Sequence, residues 1–230
     1  MSHLQQAHTS RDFESELREL RAQILVMGAR CERMLRLSVT AFWDGVATAL
    51  VDVEALDRQI DKDEMDIDAL ALRVLALRHP VAYDLRLLTG VMRLATNLER
   101  IGDESVNIAE RAKYDDGTAK ARAEVELRAM ADATQDMLRN SLEAFSDNGA
   151  TGAEAVLRCD DAVDRYYRRI MERMTAFVTE DASHAAEALR VMQVAKYLER
   201  IADHATNIAE EVIFIVRGEN VRHRPEPLAT

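Results

Sequence analysis

Three prolines in 230 residues, Pro80, Pro225 and Pro227, leave almost the whole chain free of the residue that most disrupts helices. Strand signals are missing as well: there is no sustained polar/apolar alternation and no Asn-Gly or Asp-Gly hairpin between β-branched runs. The two cysteines, Cys31 and Cys159, form no CxxC pair and stand in unrelated places, which excludes a disulfide framework and leaves two thiols expected to be buried and reduced. No run of about 18 apolar residues occurs, so direct membrane insertion is not expected. The opening MSHLQQAHTSRDF lacks the basic and apolar regions of a signal peptide, which points to the cytoplasm. Basic residues are scarce beside acids, 30 Lys and Arg against 41 Asp and Glu, and the net charge of -11 argues against general nucleic-acid binding. There is no nucleophile with a base, no GxxxxGK[ST] loop and no Rossmann fingerprint, so the chain does not read as an enzyme.

What is present is repetition. LERIGDESVNIAE begins at Leu98 and LERIADHATNIAE at Leu198, an offset of 100. MLRLSVTAFWDG from Met34 returns as MLRNSLEAFSDNG from Met137, an offset of 103 that also carries Asp57 onto Asp160 and Asp61 onto Asp164. Stops are supplied by Gly45, Gly117, Gly149 with Gly152, Gly218, the His79-Pro80 step and the stretch Thr179 to Ser183. They divide the chain into six segments of roughly 25 to 35 residues. The fold class expected is all-α, with two tandem three-helix bundles related by the internal repeat. A single long coiled coil is the competing picture, against which Gly45 and Pro80 interrupt any sustained heptad. The boundaries read as a tail at 1–12, bundles at 13–115 and 116–217, and a flexible tail at 218–230.

The repeated acids share faces. At 100° per residue, Glu99, Asp103, Asn107 and Glu110 fall within about 80° of arc, opposite Leu94, Leu98, Ile101 and Ile108. Glu199, Asp203, Asn207 and Glu210 repeat the stripe. In the preceding segment Asp57, Asp61, Glu64 and Asp68 lie within about 60° of arc. The second half keeps Asp160 and Asp164 but has Tyr167 and Met171 in place of Glu64 and Asp68. A solvated face explains one such stripe, but carboxylates four residues apart cost a helix a few tenths of a kcal/mol per pair, so two facing stripes call for compensation. All-oxygen clusters suit hard cations such as Mn²⁺, Mg²⁺, Ca²⁺ or Fe³⁺ and are too carboxylate-rich for a structural zinc site. Two metal sites are expected: Asp57, Asp61, Glu99 and Asp103, then Asp160, Asp164, Glu199 and Asp203. Glu64, Asp68, Asn107, Glu110, Asn207 and Glu210 are candidate extensions of them.

Other residues are weighed more simply. Arg86, Arg93 and Arg100 recur every seven residues as a basic line, read as salt bridges to a neighbouring helix or as a docking surface for an acidic partner. His204 lies off the acidic stripe and reads as an ordinary surface residue, and no HExxH or paired ExxH pattern occurs. Phe42, Trp43 and Phe145 read as packing anchors. Gly90 and Gly102 sit inside helical pattern at a cost of ~1 kcal/mol each, for which close helix approach is a sufficient reason.

The doubled E-xxx-D-xxx-N-IAE phrase, the RHPVAYDLR stretch from Arg78 and the D-xxx-D pairs resemble the PhoU family of phosphate-uptake regulators over roughly Phe13 to Arg217. The resemblance implies two three-helix bundles, a homodimer, and metal ions on the bundle surface held by the paired E(D)-xxx-D motifs. Iron comes first among these, with Mn, Mg, Ca or Zn as alternatives. It also implies negative regulation of the phosphate-starvation response, by linking the ATPase subunit of the phosphate ABC transporter to a membrane sensor histidine kinase at the inner face of the membrane. The second half departs from the pattern, with TEDASHAAEALR where the first has the RHPVAYDLR turn. Two other readings stand beside this one: a metal-dependent oxidase or iron store, and a helical scaffold without metal.

Overall fold

The structure is a computed structural model that describes residues 2–45, 49–114 and 117–222, with side chains from residue 11 onward. Six helices follow one another: α1 (Ser2–Asp44), α2 (Ala49–Arg78), α3 (Ala82–Glu110), α4 (Gly117–Asp147), α5 (Ala150–Glu180) and α6 (Ala185–Arg217). Short 3₁₀ turns at Arg111–Lys113 and Ala182–His184 complete the order, and among the described residues there is no strand. The fold is the expected pair of three-helix bundles, α1 to α3 and α4 to α6. α1 is longer than its repeat implied, because residues 2–12, read as a tail, continue the helix.

The breaks have local causes. Gly45 and Gly218 stop α1 and α6 with φ of +66 and +75°, and their N–H groups donate to Ala41 O and Phe214 O at 2.9 and 2.8 Å. His79 before Pro80, and Asn148 before Gly149, also take positive φ in the turns that reverse the chain. Gly117 opens α4 and Gly152 lies within α5, so these two do not act as stops.

Each bundle buries its own apolar stripe. Ile60, Ile67, Leu94, Leu98 and Ile101 are buried in the first and Ile170, Met174, Leu198, Ile201 and Ile208 in the second. Each such side chain contributes roughly 1.5 to 3 kcal/mol. Phe42 and Phe145 are buried as anchors, and Trp43 is half-buried with the Arg128 guanidinium 4.0 Å from its ring centroid. Cys31 is buried, its thiol donating to Leu98 O at 3.3 Å and pushed up in pKa chiefly by burial. Cys159, by contrast, is exposed, because its place on α5 faces solvent.

The bundles join through an antiparallel seam. α3 packs on α6, where Arg93 meets Glu211, Asn97 meets Asn207 and Glu104 meets Arg200 in reversed order. α1 packs on α4 in the same sense, with Gly28 against Leu142 and Trp43 against Arg128. The seam therefore has an α3/α6 side and an α1/α4 side, with α2 and α5 at the outer ends. Gly90 permits the close approach: a Cβ there would lie 2.5 Å from Ile215 Cδ1.

Candidate functional site: two acidic clefts on one side of the seam

α2 packs beside α3 and α5 beside α6, and both clefts open on the α3/α6 side. The i, i+4 spacing of the acids sets their positions: the apolar stripe holds each helix to its bundle and turns the acids toward the cleft. In the first cleft the Asp57 carboxylate lies against the backbone of α3, 3.6 Å from where a Cβ on Gly102 would stand. Glu64 is reached from α3 by Thr96, whose hydroxyl donates to it at 3.0 Å.

The acids of each cleft lie close enough to act on one another's charge. Burial and then the neighbouring charges of Asp103, Glu64 and Asp61 push Glu99 up to about 7, with Arg100 opposing. Asp103 is raised by burial and by Asp61, and Asp57 by burial, Asp61 and Asp103. Asp68 is raised by burial, and one of its carboxylate oxygens has no hydrogen-bond partner. In the second cleft burial, Glu199, Asp160 and Asp164 push Asp203 up to about 6 against the opposing charge of Lys196. Asp160 is raised by burial and Asp164, despite a 3.4 Å hydrogen bond from Thr206.

Lys196 went unnoticed in the sequence. Its ammonium donates to Glu199 at 2.5 Å and lies 5.5 Å from the Tyr167 ring centroid. Burial works to lower its pKa, but the hydrogen bond and charge of Glu199, with Asp203 beyond, hold it above the ordinary lysine value. The signal was available as the replacement of Thr96 by a lysine at the matching place in the repeat.

Several expected site residues belong to the seam instead. Asn207 donates to Asn97 at 3.3 Å across the α3/α6 contact, and Asn107 donates within α3 to Glu104 at 3.2 Å, the residue that Arg200 of α6 also meets. Glu210 stands 4.0 Å from Arg222, and Glu110 is half-buried at the end of α3. The stripe on one helix borders two neighbours, and at Asn207 it faces the other bundle rather than the cleft. His204 is likewise a seam residue, 3.0 Å from Asn97 and lowered in pKa by burial and by Arg100.

Of the basic line, Arg86 donates to Ile215 O at 3.1 Å and packs on Gly218, and Arg93 bonds the fully buried Glu211 at 3.2 Å. Those two are thus committed to the seam; Arg100 is exposed near His204. Within Gly218 to Arg222, read as part of a flexible tail, Val221 is buried and Arg222 pairs with Glu211, while Gly218, Glu219 and Asn220 are exposed. The remainder of that tail, 223–230, lies outside the described residues. The RHPVAYDLR stretch also holds elements together, Arg78 bonding Glu16 at 3.0 Å and Tyr83 donating to Asn148 at 2.9 Å.

Among the described residues no group of three or more His, Cys, Asp or Glu side chains stands gathered as a set that holds a metal ion. The donors nevertheless suit a hard cation, being carboxylate oxygens that raise one another's proton affinity across an open cleft. Holding one requires Asp57, Asp61, Glu99 and Asp103 to turn toward a common point. No described helix is long and apolar enough to cross a membrane.

The PhoU domain model matches this chain twice, at residues 24–112 and 127–212. A phosphate-specific transport system accessory protein PhoU homolog from Pseudomonas putida is 37% identical over 217 residues, covering 94% of this chain and 85% of the relative. The homolog of the same name from Deinococcus radiodurans is 35% identical, covering 90% of this chain and 97% of the relative. Among solved structures, PhoU from Pseudomonas aeruginosa superimposes with a TM-score of 0.85 at 35% identity, covering 90% of this chain and 100% of that one. The phosphate transport system regulatory protein PhoU from Streptococcus pneumoniae gives 0.83 at 25% identity, covering 91% and 99%.

Proposed function

The chain belongs to the PhoU family, and from that premise we propose that it is an accessory regulator of phosphate transport that bears metal on its two acidic clefts. In this reading it works at the inner face of the membrane as a homodimeric adaptor between the ATPase subunit of the phosphate ABC transporter and a sensor histidine kinase, and it represses the starvation response when phosphate is plentiful. The observation that carries the reading is the packing of an acid-bearing helix pair in each half, α2 on α3 and α5 on α6, about a shared seam, in a chain whose relatives are named for phosphate transport. Asp57, Asp61, Glu99 and Asp103, with Asp160, Asp164, Glu199 and Asp203, are the residues that would hold the ions. A bound cation would supply charge compensation there, and the carboxylates would hold α2 against α3 and α5 against α6 as fixed docking surfaces. The open, surface position of the acids speaks against an oxidase or iron store, whose di-iron chemistry sits in a bundle core.

Deleting the gene and following a starvation-responsive reporter in high phosphate tests the role, with the reporter expected to switch on. Complementation by the wild type should silence it, and by Asp103→Asn with Asp203→Asn should not. A reporter that stays silent in the deletion strain would remove the regulatory reading.

A further inference from the structure

Among the differences between the two clefts, one is a coupled pair of facing positions. In the first, Glu64 on α2 accepts a hydrogen bond from Thr96 on α3. At the matching places of the second stand Tyr167 on α5 and Lys196 on α6, in contact as cation and ring. Five carboxylates, Asp57, Asp61, Glu64, Glu99 and Asp103, thus lie along the first cleft within reach of one another's charge. The second has four, Asp160, Asp164, Glu199 and Asp203, with one ammonium reaching Glu199 directly and Asp203 through its charge. Arg100 opposes the first cluster through its charge and is exposed, whereas its counterpart Arg200 is paired with Glu104 across the seam at 3.1 Å, so the hydrogen-bonded cation within a cleft is Lys196 alone among the described residues.

We infer that Lys196 is a built-in counter-cation: tethered to α6, it neutralises the second cleft in the way that a hard metal ion would neutralise the first. The inference rests on the metal reading proposed above and gives the chain a preference. A hard cation entering the α5/α6 cleft must displace or sit beside an ammonium already bonded to Glu199, and it finds a phenol where the first cleft offers a carboxylate. The α2/α3 cleft has the exposed Arg100 charge nearby but no cation hydrogen-bonded to its acids, and it has an additional carboxylate, so it takes the ion first. The Tyr167 ring holds the lysine over the cleft, since a cation is drawn to an aromatic face. Loss of carboxylate and gain of lysine occur together at facing positions, which is why the second half can dispense with an ion and still keep α5 against α6.

The test uses the full chain stripped with chelator and titrated with Mn²⁺ alone, beside thermal melts in chelator. The first binding event should vanish in Asp61→Asn with Asp103→Asn and persist in Asp164→Asn with Asp203→Asn. Lys196→Met, which keeps the stem over Tyr167 and removes the charge, should tighten Mn²⁺ at the second cleft on the order of tenfold. The same variant should lower the melting temperature in chelator. The reciprocal Thr96→Lys with Glu64→Tyr should weaken Mn²⁺ at the first cleft by a similar factor and raise the chelated melting temperature. Equal uptake by the two clefts of the wild type, or a Lys196→Met variant unchanged in both uptake and melting, would overturn the inference and leave the metal reading standing. Absence of Mn²⁺ uptake in the wild type and every variant would overturn both, while the melts in chelator would still show whether Lys196 compensates the acids.

Discussion

The floors of the two clefts are built from different pairs of residues that fill similar space. Beneath the first, Ile60 of α2 lies under Gly102 of α3, where an added Cβ would stand 3.5 Å from the isoleucine side chain. The matching places in the second half hold Val163 and Ala202, one methylene smaller on one helix and one methyl larger on the other. The charges above the floors are exchanged in the same coupled way, Glu64 and Thr96 for Tyr167 and Lys196. Duplicated helices drift by paired substitutions across a contact, because a core at crystal-like density tolerates a change on one side only with compensation on the other.

The largest test of that comparison is in the floor. Ile60→Ala should cost about 3 kcal/mol and Val163→Ala about 2 kcal/mol in denaturant unfolding, since both are fully buried and the larger side chain leaves the larger cavity. Equal costs would mean that the two floors relax differently and that the exchange is not volume for volume.

The next test is pH. A carboxyl whose folded pKa lies above its unfolded value favours the folded state only while protonated. Stability in chelator should therefore fall as pH climbs from the ordinary 4.5 of Glu99 to its folded value of about 7, and from the ordinary 3.8 of Asp203 to about 6. Glu99→Gln should flatten the fall above pH 6, whereas Asp203→Asn should leave that upper part and remove only the lower. A fall above pH 6 that survives Glu99→Gln would dissociate it from the first cleft.

The smallest effects come from two glycines of α3. Gly102→Ala, which makes the first half resemble the second, meets Ile60 at ordinary contact distance and should gain about 0.5 kcal/mol from helix propensity. Gly90→Ala, facing Ile215 at 2.5 Å, should lose about 1 kcal/mol instead. Melting temperatures that move in the same direction would show that Gly90 is not held by the seam.

Much of this was readable in the chain. Helix punctuation by Gly45 and Pro80, and the apolar stripe through Leu94, Leu98 and Ile101, determine six helices and their buried sides, since both signals are local. That Asp57 and Asp61 lie within charge reach of Glu99 and Asp103 follows from placing two stripes beside each other, whereas the turning of their side chains toward a common point does not. A helical wheel has no knowledge of the second neighbour, however, and so Asn207 reads as a cleft residue when it bonds Asn97 across the seam, while Asn107 bonds Glu104 of its own helix and Glu210 stands near Arg222. Arg86 and Arg93 face the same seam, which is a contact between residues more than a hundred positions apart. The packing of Val221 and Arg222 was hidden for the same reason: nothing near them in sequence marks the buried Glu211 that Arg222 meets.

The antiparallel seam between α3 and α6 has a consequence for orientation. Two separate three-helix chains related by a true twofold axis would present the same residues on both sides of it, and a partner could bind either way round with equal energy. Here the halves are joined covalently, and places that a twofold would make identical have diverged: Asn97 opposite Asn207, but Asn107 at the level of Tyr197. Arg111 meets Tyr197 where the matching residue of the second half is the buried Glu211. A surface of this kind has a head and a tail, and whatever seats across it is seated in one direction.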